Sequence, residues 1–351
     1  MRIALLADAA SIHTQRWVWA LANAGVTAEV WSERPWPKSS NAAPVHAIPP
    51  GVRGRLNVLR VARVLHRQLN AFHPDVVHAH YVSRYGLYAA LLPHRPRVMS
   101  VWGADVEVFP HGMGGMNRYL LQYILSRADA ITTSSRYLKF VTARYARHTS
   151  IDVIPFGIDR TVFSPRNAGS GSLRWIINKA LEPVYGIDVV LEAWSQVPRE
   201  YRWEGRLLGE GSDRPRLMQL VKQRGLTDRV SFLGRVAPDQ LPEVLAWADV
   251  GLYPSHRESF GVAPLEMQAL GRAVIAHQIG GLPEVINAGV TGILMPINEV
   301  NAWRKVFMDA VTNPEKIRQM GQKGPQWVAQ HYDFTQNLQA MLALYHSQIA
   351  R

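Results

Sequence analysis

Val250-Gly-Leu-Tyr253-Pro-Ser-His-Arg-Glu258-Ser-Phe-Gly261-Val-Ala-Pro-Leu-Glu266-Met-Gln-Ala-Leu-Gly271-Arg-Ala273-Val-Ile-Ala276 reads as strand, loop, helix, glycine turn and strand. The flanking apolar runs are too short for helices and carry the branched residues of a buried strand. Pro264 suits the opening turn of a helix, where its missing N–H costs nothing, and Gly271 suits the C-terminal cap. Two buried strands joined by a helix form a parallel pair, covered on both faces.

The same unit recurs outward along the chain. Strand-like runs lie at 2–6, 28–31, 76–80, 98–101, 130–133 and 151–154, and again at 174–177, 206–208, 230–233, 250–253, 273–276 and 291–295. Amphipathic stretches such as 14–24, 58–72, 116–127, 189–196, 214–223 and 241–246 alternate with them. This predicts an α/β fold of two doubly wound, Rossmann-like domains facing a central cleft. The Gly/Ser/Pro-rich stretch Ser164–Ser172 separates the two series. The expected domains are 1–165 and 166–330, with 331–351 a helix returning to the first. Ligands of such sheets bind beyond the carboxyl ends of the strands, so chemistry is sought in the loops that follow them.

The composition is that of an ordinary soluble globular protein and leaves a cytoplasmic enzyme or a binding protein. The 351 residues are 47% hydrophobic and 19% charged, with no cysteine, which removes disulfides, thiolate catalysis and cysteine zinc sites. No uncharged run approaches the ~20 residues of a membrane span, and Asp8 comes too soon for a signal peptide. A cytoplasmic location, peripheral on the inner membrane face, is expected. Residues 1–165 hold 19 Lys and Arg against 9 Asp and Glu, which is +10 of the chain's +12. Such an excess attracts polyanions. Arg60, Arg63 and Arg67 recur at helical spacing opposite apolar positions within 53–67, so an anionic membrane surface is a candidate partner. A nucleic-acid partner is not expected, because no recognition helix, RNA-binding aromatic motif or zinc finger is present.

Within the central stretch, the amides from Ser259 to Ala263 stand at a helix N-terminus, a ready anion site. Glu258 lies ahead of it and Glu266 two turns behind. One carboxylate before a phosphate cradle and one after it suit a sugar hydroxyl and a ribose diol.

Several segments together resemble retaining glycosyltransferase family 4, which has the GT-B fold. Glu258-Ser-Phe-Gly with Glu266 is similar to its Glu–seven residues–Glu motif. Leu208-Gly-Glu-Gly211, Arg229-Val-Ser-Phe-Leu-Gly-Arg235, Ala248-Asp-Val-Gly-Leu-Tyr-Pro-Ser255, Ile279-Gly-Gly-Leu-Pro-Glu284 with Gly289-Val-Thr-Gly292, and Ile154-Pro-Phe-Gly-Ile-Asp159 match other family segments in order. The match is good over roughly 150–300 and loose before that. The resemblance implies a retaining transfer from a nucleoside-diphosphate sugar, with a UDP-sugar favoured over a GDP-sugar. Glu258 would contact the sugar and Glu266 the ribose. Ser259, Phe260, Gly261 and Val262 would hold the distal phosphate, while Gly234 and Arg235 frame the base beside the glycine turn at Gly209. No cofactor and no metal are implied, and the chain has no Asp-x-Asp pair.

Three departures from the family stand out. The loop that normally supplies Arg and Lys to the diphosphate reads Lys179-Ala-Leu-Glu-Pro-Val-Tyr-Gly186, which puts Ala180 and Tyr185 at those places. Lys179 is therefore the candidate catalytic cation and Tyr185 a hydrogen-bond donor. The family's His-Gly-x-Asp segment reads Trp102-Gly-Ala-Asp105, with Asp105 a catalytic candidate and Trp102 a sugar platform. The usual glycine loop after the first strand is replaced by Ala9-Ala-Ser-Ile-His13-Thr-Gln-Arg16-Trp17. His13 and Arg16, with His80 of His78-Ala-His80, are then acceptor-side candidates. No third ligand accompanies that His pair at a metal-site spacing.

The acceptor expected from this reading is a lipid-linked glycan of cell-surface polysaccharide synthesis. A soluble small-molecule acceptor is the first alternative and a GT-B sugar-nucleotide epimerase the second. A dinucleotide oxidoreductase is disfavoured, because the first βα turn reads Ala7-Asp-Ala-Ala-Ser-Ile instead of Gly-x-Gly-x-x-Gly.

Overall fold

The computed structural model describes residues 1–36, 43–48, 55–146, 150–166 and 171–351; the side chains of 55–57 are outside the description. The chain forms two compact units, Met1–Phe156 with Thr335–Arg351, and Gly157–Phe334.

The first unit runs β1 (Arg2–Leu6), α1 (Ile12–Asn23), β2 (Thr27–Ser32), β3 (Val45–Ala47), α2 (Arg55–Phe72), β4 (Val76–His80), a π-helical turn (Val82–Gly86), α3 (Leu87–Leu91), β5 (Arg97–Val101), α4 (Ala104–Glu107), two 3-10 turns, α5 (Met116–Ser126), β6 (Ala130–Thr133), α6 (Arg136–Ala143) and β7 (Ile151–Val153). Its seven strands are ordered β3-β2-β1-β4-β5-β6-β7 and every pair is parallel. The strands β4 and β5 are buried at every residue, as expected where helices cover both faces. On one face, Val61, Leu65 and Leu69 of α2, Leu121 and Ile124 of α5 and Leu138 of α6 share a core with Val77, Met99 and Ile131.

The second unit runs β8 (Leu173–Asn178), α7 (Ile187–Trp194), β9 (Trp203–Leu208), α8 (Arg214–Gln223), β10 (Val230–Gly234), α9 (Leu241–Ala246), β11 (Val250–Tyr253), α10 (Val262–Ala269), β12 (Ala273–His277), α11 (Leu282–Val285), β13 (Gly292–Met295), α12 (Val300–Thr312), α13 (Pro314–Gln322) and α14 (Gly324–His331). The parallel strand order is β10-β9-β8-β11-β12-β13, doubly wound about β8 and β11. The strand–helix–strand reading of 250–276 is met closely. The helix α10 ends where Gly271 takes a left-handed φ of 79°, with its N–H on the Gln268 carbonyl and that of Arg272 on Met267. This is the paired-bond arrangement that a C-terminal glycine permits.

Last comes α15 (Phe334–Ile349), most of which belongs to the first unit; Tyr345, almost fully buried, places its Oη 2.6 Å from His78 Nδ1 of β4. The first unit's edge falls at Phe156/Gly157, ahead of the expected 165/166. The reason is local: Ile158 pairs with Asp333, and the Arg166 amide bonds the Leu270 carbonyl. Of the stretch 164–172 read as a linker, 167–170 lie outside the described residues. The strand β3 was not expected, since three half-exposed residues leave little apolar signal.

Candidate functional site

In the second unit, the loops after β8, β9, β10, β11 and β12 converge at the carboxyl ends of the parallel strands. Glycines let their backbones touch. Gly209, at φ 140°, lies so close to the Lys179 carbonyl that a Cβ would overlap it, and Gly280, at φ 55°, is pressed on the Glu258 carbonyl in the same way. The Lys179 amide bonds the Leu208 carbonyl, and the Gly281 amide bonds that of Glu258 at 2.9 Å. The chain at Glu258 is thus held by the backbone of Gly280 and Gly281, and that at Lys179 by the backbone of Leu208 and Gly209.

The structure brings Lys179 and Glu258 together as an ion pair, with both side chains largely shielded from solvent. Lys179 Nζ lies 5.1 Å from the ring centre of Tyr185. Behind them, the buried Tyr253 hydroxyl sits 2.6 Å from Asn178 Oδ1 and 2.9 Å from the Ala263 carbonyl oxygen. Burial raises the Tyr253 pKa well above its ordinary value, and the nearby carboxylates of Glu266 and Glu258 push it further. Ser259, Glu266 and Val262 are half-buried, Phe260 is buried with its ring 5.8 Å from that of Tyr332, and Gly261 precedes α10 at φ 118°. Gly234 ends β10 in a left-handed turn and leaves Arg235 exposed. Ala180 is exposed, and Lys179 stands beside it, half-buried. His256, packed against Gly186, was missed; its place in the loop after β11 was the available signal.

In the first unit, a cavity of about 710 Å³ opens at the carboxyl ends of β1, β2, β4 and β5. It is lined by Asp8, Glu33, Arg34, His80, Arg84 and Trp102, with Ser11, Tyr81 and Tyr85. Arg34 pairs with Asp8, and Arg84 pairs with Glu33, which also accepts the Tyr88 hydroxyl at 2.6 Å. Tyr81 holds a left-handed φ of 68° where β4 passes into the π-helical turn. Such irregularities concentrate at binding sites. The structure brings the rings of His80 and Trp102 together, with centres 4.7 Å apart. His80 is buried, its Nδ1 lacks a hydrogen-bond partner among the described residues, and burial, then His13, lowers its pKa to about 3. His13 stacks on Phe156 at 4.3 Å and meets Trp102 edge-on at 5.9 Å. Arg16 is half-buried on α1 and does not line the cavity.

Asp105, a catalytic candidate in the sequence, has a different part. Its fully buried carboxylate accepts the amides of Gly103 at 2.7 Å, Val82 at 3.0 Å and Trp102 at 3.2 Å. Burial raises its pKa to about 6 against the pull of those bonds. It braces the loop that carries Trp102 and the turn that carries Tyr81 and Arg84. Asp8, Glu33, Arg34 and Arg84 were missed, although the loops after β1, β2 and β4 were where ligands were expected. Arg60, Arg63 and Arg67 are exposed on α2. Among the described residues, no three His, Asp or Glu side chains stand where they could share a metal ion.

Comparison with known proteins adds the family. Residues 166–327 match the model described as glycosyl transferases group 1, and residues 2–135 match glycosyl transferase 4-like. A D-inositol 3-phosphate glycosyltransferase of Gordonia bronchialis is 27% identical over 96% of this chain and 84% of that one. Sucrose-phosphate synthase of Thermosynechococcus elongatus superposes with a TM-score of 0.86 at 20% identity, covering 100% of this chain and 99% of that one. Anabaena HepE in complex with UDP and glucose does so with 0.80 at 19%, covering 99% and 100%. With glycosyltransferase models matching both halves and the two-sheet architecture shared with these structures, the chain belongs among the GT-B glycosyltransferases.

Proposed function

We propose that the chain is a retaining, metal-independent hexosyltransferase of family 4 that takes a UDP-sugar in its second unit. The observation that carries the reading is the Lys179–Glu258 pair at the N-terminal end of α10, with Glu266 two turns further on. The donor's diphosphate lies on the amides of residues 259–262, where the free N–H groups and the helix dipole favour anions. Lys179 leaves Glu258 for the phosphate and takes over the charge that an Arg and a Lys carry in the family. Glu258, released, accepts hydroxyls of the sugar, and Glu266 accepts those of the ribose. Uridine is supported by the Anabaena neighbour, whose structure is a complex with UDP and glucose.

The reaction is a front-face displacement. The bond from the anomeric carbon to the leaving phosphate oxygen breaks, and the acceptor oxygen bonds to that carbon on the same face. The acceptor's proton passes to the leaving phosphate, so the products are the glycoside and the nucleoside diphosphate. Charge grows on the phosphate, where pre-positioned amides and Lys179 stabilise it most.

The acceptor lies in the cavity of the first unit, with Trp102 as a platform and the paired Asp8–Arg34 and Glu33–Arg84 groups available to its hydroxyls. A lipid-linked glycan met at the inner membrane face accords with the exposed arginines of α2. A soluble small acceptor is the second reading, favoured by the relative that acts on inositol phosphate. Turnover of a UDP-sugar panel, with and without chelator, tests the proposal. An α-linked donor should give an α-linked product by NMR at undiminished rate in chelator. An inverted product refutes the mechanism, and loss of turnover in chelator refutes metal independence.

A further inference from the structure

The helices on the two faces of the first unit's sheet differ in character. The steps β3→β4, β4→β5, β5→β6 and β6→β7 all run in one direction along the sheet. Right-handed crossovers therefore place α2, α3, α5 and α6 in one layer, with α1, whose step is opposite, on the other face. The shared core of the first four, and the contacts of α2 with α3 and of α3 with α5, agree. No Asp or Glu occurs in the sequence of any of these four helices. Exposed on their outer sides are Arg60, Arg63 and Arg67 of α2, Arg118 of α5, and Arg136 and Lys139 of α6, with Arg144 just beyond.

The same outer side carries large apolar groups where a solvated helix would carry polar ones. On α5, Met116, Tyr119 and Tyr123 fall at the spacing i, i+3, i+7, which is one stripe, and all three are exposed opposite the buried Leu121, Ile124 and Leu125. Tyr119 is 73% exposed, Phe140 of α6 is 71% exposed, and Met113, in the turn leading into α5, is 68% exposed. Leu59 is exposed one turn into the described part of α2. Scattered surface apolar residues need no explanation, but a stripe of Met, Tyr and Phe set among cations and without carboxylates does.

We propose that the outer face of the α2–α3–α5–α6 layer docks on an anionic lipid bilayer. Tyr119, Tyr123, Phe140, Met113 and Met116 enter the headgroup region, where amphipathic rings are favoured, and the arginines and Lys139 meet the lipid phosphates. Charge complementarity selects this occupant: the four helices carry no carboxylate, the neighbouring Glu107 of α4 is half-buried and accepts the Tyr137 hydroxyl at 2.9 Å, and two such cationic faces repel each other. The arginines of α2 are thus one end of a wider face whose apolar anchor is on α5 and α6. Docking needs neither donor nor acceptor, so it stands or falls separately from the transfer reaction.

Flotation of the full chain with vesicles tests this. At low salt, vesicles of phosphatidylglycerol and phosphatidylcholine should carry the protein, and pure phosphatidylcholine should carry at least tenfold less. The pair Tyr119→Ser and Phe140→Ser should lower the bound fraction at least tenfold at unchanged Tm, as should Arg60, Arg63 and Arg67 changed to Glu. In a Tyr119→Trp variant the emission should move to the blue on adding anionic vesicles. Absence of binding at low salt overturns the proposal, and so does binding indifferent to the Ser pair. A concentration-dependent dimer abolished by the Ser pair also overturns it, in favour of a second copy.

Discussion

The two site regions are built by different means. In the second unit, the loops around Glu258 are held by backbone: Gly209 against Lys179, Gly280 and Gly281 against residues 258–260, and amides on carbonyls throughout. In the first unit, the cavity wall is made of side chains in mutual ion pairs, Asp8 with Arg34 and Glu33 with Arg84, on a strained turn braced by Asp105. A diphosphate is the same in every nucleotide sugar and suits a fixed cradle. An acceptor varies, and a wall of side chains changes with single substitutions. The comparison is broken most directly where the backbone cradle positions one side chain, at Glu258.

Glu258→Gln keeps the loop but removes the charge that holds Lys179. Turnover should fall by about 10²–10³-fold, the range for losing a group that acts on the transition state. The nucleotide dissociation constant should stay within a few-fold, because the amides of 259–262 are untouched. Equal losses in turnover and in nucleotide affinity would mean that Glu258 serves the cradle rather than the sugar.

Asp105 sharpens the comparison through pH. Its folded pKa, about 6, lies above the ordinary carboxylate value near 4 because burial penalises the ion. The folded state therefore binds the proton more tightly than the unfolded one. Asp105's contribution is most favourable below pH 4 and is lost as pH rises through 6. By linkage the loss is about 3 kcal/mol. The stability of the native chain minus that of Asp105→Asn, from denaturant unfolding, should decline by most of this amount between pH 4 and 7. His80 in the same wall works in the opposite sense, since its folded pKa is lowered and its contribution is lost as pH falls below 6.5. A flat difference curve for Asp105→Asn would remove the burial argument.

The same contrast decides what the sequence disclosed. The strand limits Arg2–Leu6, Val76–His80 and Val250–Tyr253 were legible because apolar runs bounded by turn residues have few other solutions. The positions of Glu258, Glu266 and Gly271 were legible because a helix N-terminus and its glycine cap fix spacing in sequence. The pairing of Arg34 with Asp8 and of Arg84 with Glu33 was not, since it joins residues 26 and 51 apart through side chains alone. The π-helical turn at Val82–Gly86 has no periodicity to announce it. The helix near 116–127 was expected, but its apolar outward stripe shows only once the buried face is known.

Glu266→Ala should weaken UDP binding by about 2 kcal/mol, the scale of losing charge-assisted hydrogen bonds to a ribose diol. Calorimetry reads this without an acceptor. Unchanged affinity would take the ribose away from Glu266 and leave the cradle as a phosphate site only.

Trp102→Ala is the smallest expected effect and separates the two regions most cleanly. Trp102 is half-exposed on the cavity wall, its ring is set by His80 and His13, and the amide beneath it is tied to Asp105. Truncation leaves that amide bond in place, so the loop stays and only the ring's apolar face is lost. Stacking of an aromatic ring on a partner contributes about 1 kcal/mol beyond area burial, which is about a fivefold rise in acceptor KM. UDP affinity and the slow hydrolysis of the UDP-sugar in the absence of acceptor should not change, because neither uses the first unit's cavity. If hydrolysis falls along with acceptor use, Trp102 contacts the donor sugar, and the division of labour between a backbone cradle and a side-chain wall fails at this residue.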